Sequence, residues 1–375
     1  MIPYGRQDVN REDVDAVVKV LESDWLATGP AIENFECELR RWTGGVPTVV
    51  VSSGTAALHT AYAAAGIGPG DEVITPPITF VATQAAAIAL GATVVFADVQ
   101  SDTANIDPDS VRSVITPSTK AIVAVDFAGH PADMDELRQI SDSRGLLLIE
   151  DAAHSLGSFY RGQPVGALAD ITTFSFFPTK NITSGEGGAL AIKDPQIRER
   201  ARLFARQGVT RNHEDLILRE EGPWHQEVHR FGLNYRLSDI LAALGLSQLA
   251  RLGTFKAHRA EIKAAYDSYL ARHPEFTVPT QRPYVDPAWH LYPLRVPEAR
   301  RREIYEKLRA AKIGVQVNYI PAYWHPAFAD LGYKRGLCPV SEGFYRREIS
   351  LPMFYGVNES MIESVTRALS LALDG

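Results

Sequence analysis

Between residues 48 and 194 the chain alternates short β-branched runs with segments of helical period, and this alternation restricts the fold more than any other feature. The runs are VPTVVV ahead of Ser52, then Glu72 to Thr75, Thr93 to Asp98, Ala121 to Phe127, Leu146 to Ile149, Ile171 to Phe177 and Ala189 to Lys193. Helical spacing lies between them, in the alanine-rich stretch ending at Gly66, at about Val81 to Leu90, at Ser110 to Ile115 and at Met134 to Arg144. Strand, helix, strand units of this kind close into one sheet with helices on its faces. Ala121 to Phe127 is almost continuously apolar, as strands covered on both sides are. An α/β architecture with a mostly parallel central sheet is therefore predicted.

From about Gly253 the pattern changes. A helix at about Phe255 to Arg272 is followed by the runs FTVP, HLYPLRV and IGVQVNYIP, with further helices at Arg300 to Lys312 and from about Ser360. Antiparallel strands linked through helices predict a smaller α+β domain, so the chain divides into a large domain over residues 1-250, with an N-terminal arm, and a smaller one over 251-375. The segment Gly208 to His229 has no period and reads as a mobile loop. Its His213, His225 and His229, spaced by twelve and four, lack a helix to bring them together, and Cys37 and Cys338 stand outside any ligand pattern, so no metal site is predicted. A net charge of −7 argues against nucleic acid or an anionic membrane as the main partner and favours a small ligand. The N-terminus carries no apolar leader and no membrane-length apolar run occurs, so the expected location is the reducing cytosol.

Residues that carry chemistry fall at the ends of the strands. After VPTVVV comes SSGT, at the start of a helix whose first amides have no intrahelical partner and carry the positive end of its dipole. Gly54, Thr55 and Ala56 are candidates to hold a phosphate there, although the same residues also suit a plain turn capped by Ser52 or Ser53. Phe80, at the entry of the next helix, can stack on a planar ring or fill the core. The strand Leu146 to Ile149 ends in Glu150 and Asp151, where parallel sheets bind their ligands, and His154 follows. The stretch TFSFFPTKNITSGEGGA delivers Lys180 beyond a strand into a glycine-rich turn. An amine that loses solvent has a lowered pKa and becomes a nucleophile towards an aldehyde. An anion turn, a stacking aromatic, a strand-end acid and a strand-end lysine are together the four requirements of pyridoxal 5'-phosphate.

The blocks SSGTAALH, GPGDEVITPPITFVAT, IEDAAHSLGSFYRG, FSFFPTKNITSGEGGAL and GLNYRLSDILAALGLSQL, spread over nearly the whole chain, resemble the DegT/DnrJ/EryC1/StrS family of fold-type-I pyridoxal phosphate enzymes. These are sugar aminotransferases that act on nucleotide-linked keto sugars. The resemblance implies that Lys180 binds the cofactor aldehyde and moves protons, that Asp151 pairs with the pyridine nitrogen, and that His154 lies near the phenolic oxygen. It implies further that Phe80 stacks on the ring, and that Gly54, Thr55 and Ser175 hold the phosphate with Asn234 from the second subunit of a homodimer with shared active sites. L-Glutamate would be the amino donor, in ping-pong alternation with the sugar. Tyr319 and His325, in NYIPAYWH, match the stretch that lines the sugar side in the family, though they also suit an aromatic packing cluster.

Finer similarities point to the position of amination. Members with histidine in place of the lysine deoxygenate instead, and Lys180 speaks against that chemistry. Phe177 stands where many relatives have histidine. Glu186 would serve the turn, and its GEGG form resembles members that aminate C4, whereas those that aminate C3 more often carry aspartate there. The blocks TPPITFVAT, AIVAVDFAGHPADMDEL and EISLP resemble members that make UDP-linked 4-amino-4,6-dideoxy-N-acetyl-altrosamine on the route to pseudaminic acid. A dTDP- or GDP-linked 4-keto-6-deoxyhexose is the main competing substrate. A C3 or cyclitol aminotransferase, a dehydratase of the same fold and a non-catalytic sensor share most of these motifs, but a sensor has no need of both Lys180 and Asp151.

Overall fold

The computed structural model describes residues 1–374. Its central sheet has seven strands in the order Thr48–Val51, Gly188–Ile192, Ile171–Ser175, Leu147–Asp151, Thr119–Val125, Glu72–Thr75 and Thr93–Phe96. Six run in one sense, and Gly188–Ile192 alone is antiparallel to both its neighbours.

Successive strand residues face opposite sides of a sheet, and both sides are covered. Val49, Val51, Val73, Val123 and Ile149 pack beneath the helices Gly54–Ala64, Ala82–Ala89 and Pro195–Ala205. On the other side Val50, Phe174 and Ala189 meet the helices Pro30–Trp42 and Asp239–Leu249, while Ile74, Ile122 and Leu148 meet Pro108–Val114 and Met134–Arg144. Burial on both faces explains the unbroken apolar runs. It also explains why apolarity overruns the strands. The run reaching Phe127 stops pairing at Val125, ahead of a turn in which Ala128 has φ 60°. The run reaching Phe177 stops at Ser175, where the ladder closes on Gly188 and Phe176 enters the next turn.

The C-terminal core is built from residues such as Ile262, Leu294, Ile304, Leu308, Ile349 and Leu369. They lie on the antiparallel pair Tyr292–Arg295 and Glu348–Leu351 and on the helices Leu252–Leu270, Arg301–Ala310 and Glu359–Asp374. The long helix Leu252–Leu270 serves both cores: Leu252 and Phe255 pack under the central sheet, and Ile262, Tyr266 and Leu270 pack into the C-terminal core.

The segment after Gly208, expected as a mobile loop without regular structure of its own, contains a small hairpin in which Val209–Thr210 pairs with Glu227–Val228. The Glu227 carboxylate accepts from the amides of Ile217 and Leu218, at 2.8 and 2.6 Å, and stands 3.1 Å from His225 Nε2 and 2.6 Å from His229 Nε2. Strands of two residues are too short to write a period into the sequence.

At the N-terminus Asn10 and Asp13 form a capping box on the helix Arg11–Leu21. Asp13 is fully buried and also accepts from Arg251 Nη2, Gln248 Nε2 and Ser247 Oγ, each at 2.6 Å. Removing one partner of a buried ionic network strands the rest. Asp13→Ala is expected to cost about 2–4 kcal/mol, read as a lower urea midpoint at unchanged slope, and Asp13→Asn, which keeps an acceptor, to cost less.

Candidate active site

The carboxyl ends of the central strands and the start of the helix Gly54–Ala64 enclose a cavity of about 550 Å³. Asp151 ends its strand opposite Thr173, and the adjacent strand runs on to Ser175. Gly54, Thr55 and Ser175 line the cavity, as do Phe80, Asp151, His154, Lys180 and Tyr319. Segments far apart in the chain therefore converge on one cavity.

At the helix start Ser53 is the N-cap, and its hydroxyl accepts from the Ala56 amide at 3.0 Å. Ala56 is thereby used internally, whereas among the described residues the amides of Gly54 and Thr55 have no partner. A β-carbon on Gly54 would sit 2.8 Å from Ser175 Cβ, so the glycine is what lets the serine hydroxyl approach the free amides. Two free amides and a hydroxyl at the positive end of a helix dipole form an anion cradle.

Asp151 is buried and accepts from Thr83 Oγ1 at 2.7 Å and from the Ala153 amide at 3.2 Å, and Thr79 Oγ1 stands 2.8 Å from Thr83 Oγ1. Burial pushes its carboxyl pKa up, while the Thr83 and Ala153 hydrogen bonds and the charge of Lys180 pull against that. Lys180 sits past the strand end, in a turn closed by the Phe176 amide on Gly187 O at 2.9 Å and the Ser184 amide on Phe176 O at 3.0 Å. Asn181 pins this turn by donating Nδ2 to the carbonyls of His154, Leu156 and Ala288, at 3.3, 3.2 and 2.9 Å. Burial pushes the Lys180 amine down to about 8, against the opposing effect of Asp151. The Phe80 ring is well exposed to the cavity and meets Tyr319 edge-on at 6.4 Å. His154 Nε2 lies 3.2 Å from the Tyr319 hydroxyl, and burial with the nearby Lys180 charge keeps the imidazole neutral. Its Nδ1 is buried without a hydrogen-bond partner.

Several cavity residues went unread in the sequence. Thr83 sits in the first turn of an apolar helix, and Tyr4, His290, Gln316 and Asn318 reach the cavity from the N-terminal arm and the C-terminal unit. His290 packs its ring 4.4 Å from that of His154. Nothing in local periodicity marks such residues. Glu186, assigned to the turn, contributes its carbonyl to Ser184 Oγ and also lines the cavity, as does Phe177. Two residues named with the site lie off this cavity. Asn234 is exposed, its backbone bridging to Arg206, and His325 stands at the N-cap position of the short helix Pro326–Ala329 without a side-chain capping bond.

The residues present fit pyridoxal 5'-phosphate: an anion cradle that a β-carbon would fill, a carboxyl bonded so as to favour ionisation, and an amine whose pKa is lowered. The model of the DegT/DnrJ/EryC1/StrS aminotransferase family matches residues 7–370. The chain belongs to this family. Among its relatives, the spore coat polysaccharide biosynthesis protein SpsC of Bacillus subtilis is 37% identical over 374 residues, covering 98% of this chain and 96% of its own. Spr1654 of Streptococcus pneumoniae, solved in its PMP form, superposes with a TM-score of 0.94 at 30% identity, covering 100% of this chain and 99% of that one. Helicobacter pylori PseC, an aminotransferase involved in the biosynthesis of pseudaminic acid, gives 0.93 at 31% identity, covering 100% and 99%.

The protein is thus a fold-type-I, pyridoxal phosphate-dependent sugar aminotransferase of the DegT/DnrJ/EryC1/StrS family. Among the described residues no helix is long and apolar enough to cross a membrane, and no three His, Cys, Asp or Glu side chains gather where they could hold a metal ion.

Two measurements test the geometry. Gly54→Ala is expected to weaken pyridoxal phosphate binding roughly 10- to 100-fold in an absorbance titration, matching the about 1–3 kcal/mol that overpacking costs. The rate at which cofactor-free protein captures pyridoxal phosphate is expected to climb with pH and level off above about 8, because the neutral Lys180 amine is the reactive form. Since Asp151 holds that pKa up, Asp151→Asn should move the midpoint to lower pH, and an unmoved midpoint removes Asp151 from the account.

Proposed function

We propose that the protein moves the amino group of L-glutamate to the C4 keto carbon of a nucleotide-linked 4-keto-6-deoxy sugar. One observation carries the reading: a buried acid, an amine of lowered pKa and an anion cradle open into a single cavity. Pyridoxal 5'-phosphate supplies, when bound, an aldehyde for an amine and a ring that draws electrons from the substrate carbon being deprotonated. In this reading Gly54, Thr55 and Ser175 bind the phosphate, Asp151 bonds the pyridine nitrogen, His154 lies by the phenolic oxygen and Phe80 covers the ring. Lys180 removes the proton from one substrate and returns a proton to the other. An amine with a pKa of about 8 exists in both forms near neutral pH, as that shuttle requires.

Glutamate and sugar occupy the same cavity in turn, which makes the kinetics ping-pong. The C4 position rests on the GEGG turn with Glu186 on the cavity wall. The UDP-linked sugar of the pseudaminic acid route is favoured by the motif blocks and by the likeness to PseC. Tyr319, on the cavity wall, is assigned to the sugar side, and His325, if it contacts substrate, must do so from beyond the cavity.

We assign the active unit to a homodimer. Asn234 is exposed and off its own cavity, which suits a phosphate ligand for a second copy. Trp224 and Phe231 are 79% and 96% exposed on the neighbouring segment, more apolar surface than water favours.

The absorption spectrum of the holoenzyme tests the reading. L-Glutamate is expected to replace the visible band of the lysine-bound cofactor with the shorter-wavelength pyridoxamine band, a 4-keto-6-deoxy nucleotide sugar to restore it, and Lys180→Ala to abolish both changes. A protein that binds the cofactor and responds to no amino donor overturns the proposal.

A further inference from the structure

The backbone around His290 is fixed on both sides. The His290 amide donates to Ala128 O at 2.8 Å, and Arg259 Nη1 donates to the carbonyls of Trp289 and His290, each at 3.3 Å, and of Met353 at 2.9 Å. Two residues earlier the Ala288 amide donates to Ser158 Oγ at 2.8 Å, and that hydroxyl donates to Gly129 O at 2.8 Å. Gly129 permits the approach, since a β-carbon there would lie 2.5 Å from Ala288 O and 3.0 Å from His154 O. Asn181, next to Lys180, donates to those same two carbonyls. The stretches that carry His154, Lys180 and His290 are thus tied to one another.

The two histidines are engaged differently. His154 Nε2 stands 3.2 Å from the Tyr319 hydroxyl, and its Nδ1 is enclosed without a partner. The His290 ring packs against that of His154 at 4.4 Å with the planes 42° apart, and its Nδ1 is enclosed and bare as well. His290 Nε2 also has no hydrogen-bond partner among the described residues, but it is not enclosed, and the residue lines the cavity with Lys180. Burial above all, then His154 and the charges of Lys180 and Arg259, pushes the His290 pKa well below the ordinary imidazole value, so the ring is neutral and carries one proton. Bare acceptors are tolerated inside proteins more readily than bare N–H groups, which puts that proton on Nε2 rather than on the enclosed Nδ1. His290 therefore holds a fixed N–H donor on the cavity wall with nothing in the chain to accept it.

In the cofactor placement above, the phosphate is taken by Gly54, Thr55 and Ser175, the pyridine nitrogen by Asp151 and the aldehyde by Lys180. The one polar atom of the ring still without a donor is the phenolic oxygen. His154 lies by it, but its Nε2 is engaged with Tyr319 and its Nδ1 is shut off. We propose that His290 is a further cofactor-binding residue, whose Nε2–H donates to the phenolic oxygen of pyridoxal 5'-phosphate. The assignment rests on that placement of the cofactor and not on the choice of sugar. When the nitrogen joining Lys180 to the cofactor loses its proton, negative charge stays on this oxygen without its internal partner, so a donor there favours the loss.

The test follows the visible band of the substrate-free holoenzyme against pH. His290→Phe is expected to raise the midpoint of its protonation by about 1 pH unit, a roughly tenfold change in proton affinity, and His290→Gln, which keeps an N–H, to return most of that shift. A second measurement uses unmutated protein carrying isotope-labelled histidine. The Nε2 proton of His290, identified by its absence from His290→Gln, is expected to move downfield when pyridoxal phosphate is added to cofactor-free protein. An unmoved resonance overturns the assignment even where the Phe variant fails to load. So does an unmoved midpoint in His290→Phe with an intact urea midpoint, or a rise that appears in His154→Asn and not in His290→Phe. A wild type that shows the titration and never answers L-glutamate overturns the aminotransferase proposal and leaves the assignment of His290 standing.

Discussion

The cavity depends on the pairing of Leu147–Asp151 with Ile171–Ser175. Their register runs from Ile149 opposite Ile171 to Asp151 opposite Thr173, and the Ala152 amide extends it by one bond to Thr173 O. A slip of one residue would turn every side chain of one strand to the other face, taking the acid out of reach of Thr83. Backbone bonds thus set where the acid and the lysine-bearing turn stand relative to each other. Cores on both faces of the sheet hold that register.

Two opposite tendencies meet in the space so defined. Withdrawal from water discourages charge on both Asp151 and Lys180, while each, when ionised, encourages the charge of the other. The Thr83 hydroxyl and the Ala153 amide favour the ionised acid. No corresponding acceptor is bonded to the lysine amine among the described residues. The pair is therefore unequal, with a supported anion beside an amine that readily gives up its proton. That asymmetry suits an acid that stays put and an amine that changes protonation state as it works.

Much of this was legible in the chain. The sheet could be read because strands buried on two faces leave β-branched runs, and Gly54, Asp151 and Lys180 could be read because they stand just past such runs, whereas Ser175, inside its run, was named only through the family resemblance. Strand direction could not, since an antiparallel strand buried on both faces, as Gly188–Ile192 is, shows the same apolar pattern as a parallel one. Strand ends were overrun at Phe127 and Phe177 because burial continues where hydrogen-bond pairing stops. Thr83, His290 and Tyr4 were hidden for a different reason. Each reaches the cavity through packing between segments distant in sequence, and Thr83 looks locally like any polar residue of an alanine-rich helix. The family resemblance supplied roles for Asn234 and His325 that the geometry of one chain does not bring to the cavity.

The antiparallel strand has a consequence for how such proteins diversify. Because Gly188–Ile192 returns beside Ile171–Ser175, the lysine sits in a reversal from Phe176 to Gly187, the shortest link between sequential strands of the sheet. Asn181 rivets that reversal to three carbonyls on two other stretches of backbone, so its length is dictated from outside. The hairpin of Val209 to Val228 is closed by Glu227 on its own Ile217, Leu218, His225 and His229, so its length is a local matter. Insertions and deletions can accumulate in the second without disturbing the lysine, and in the first they cannot.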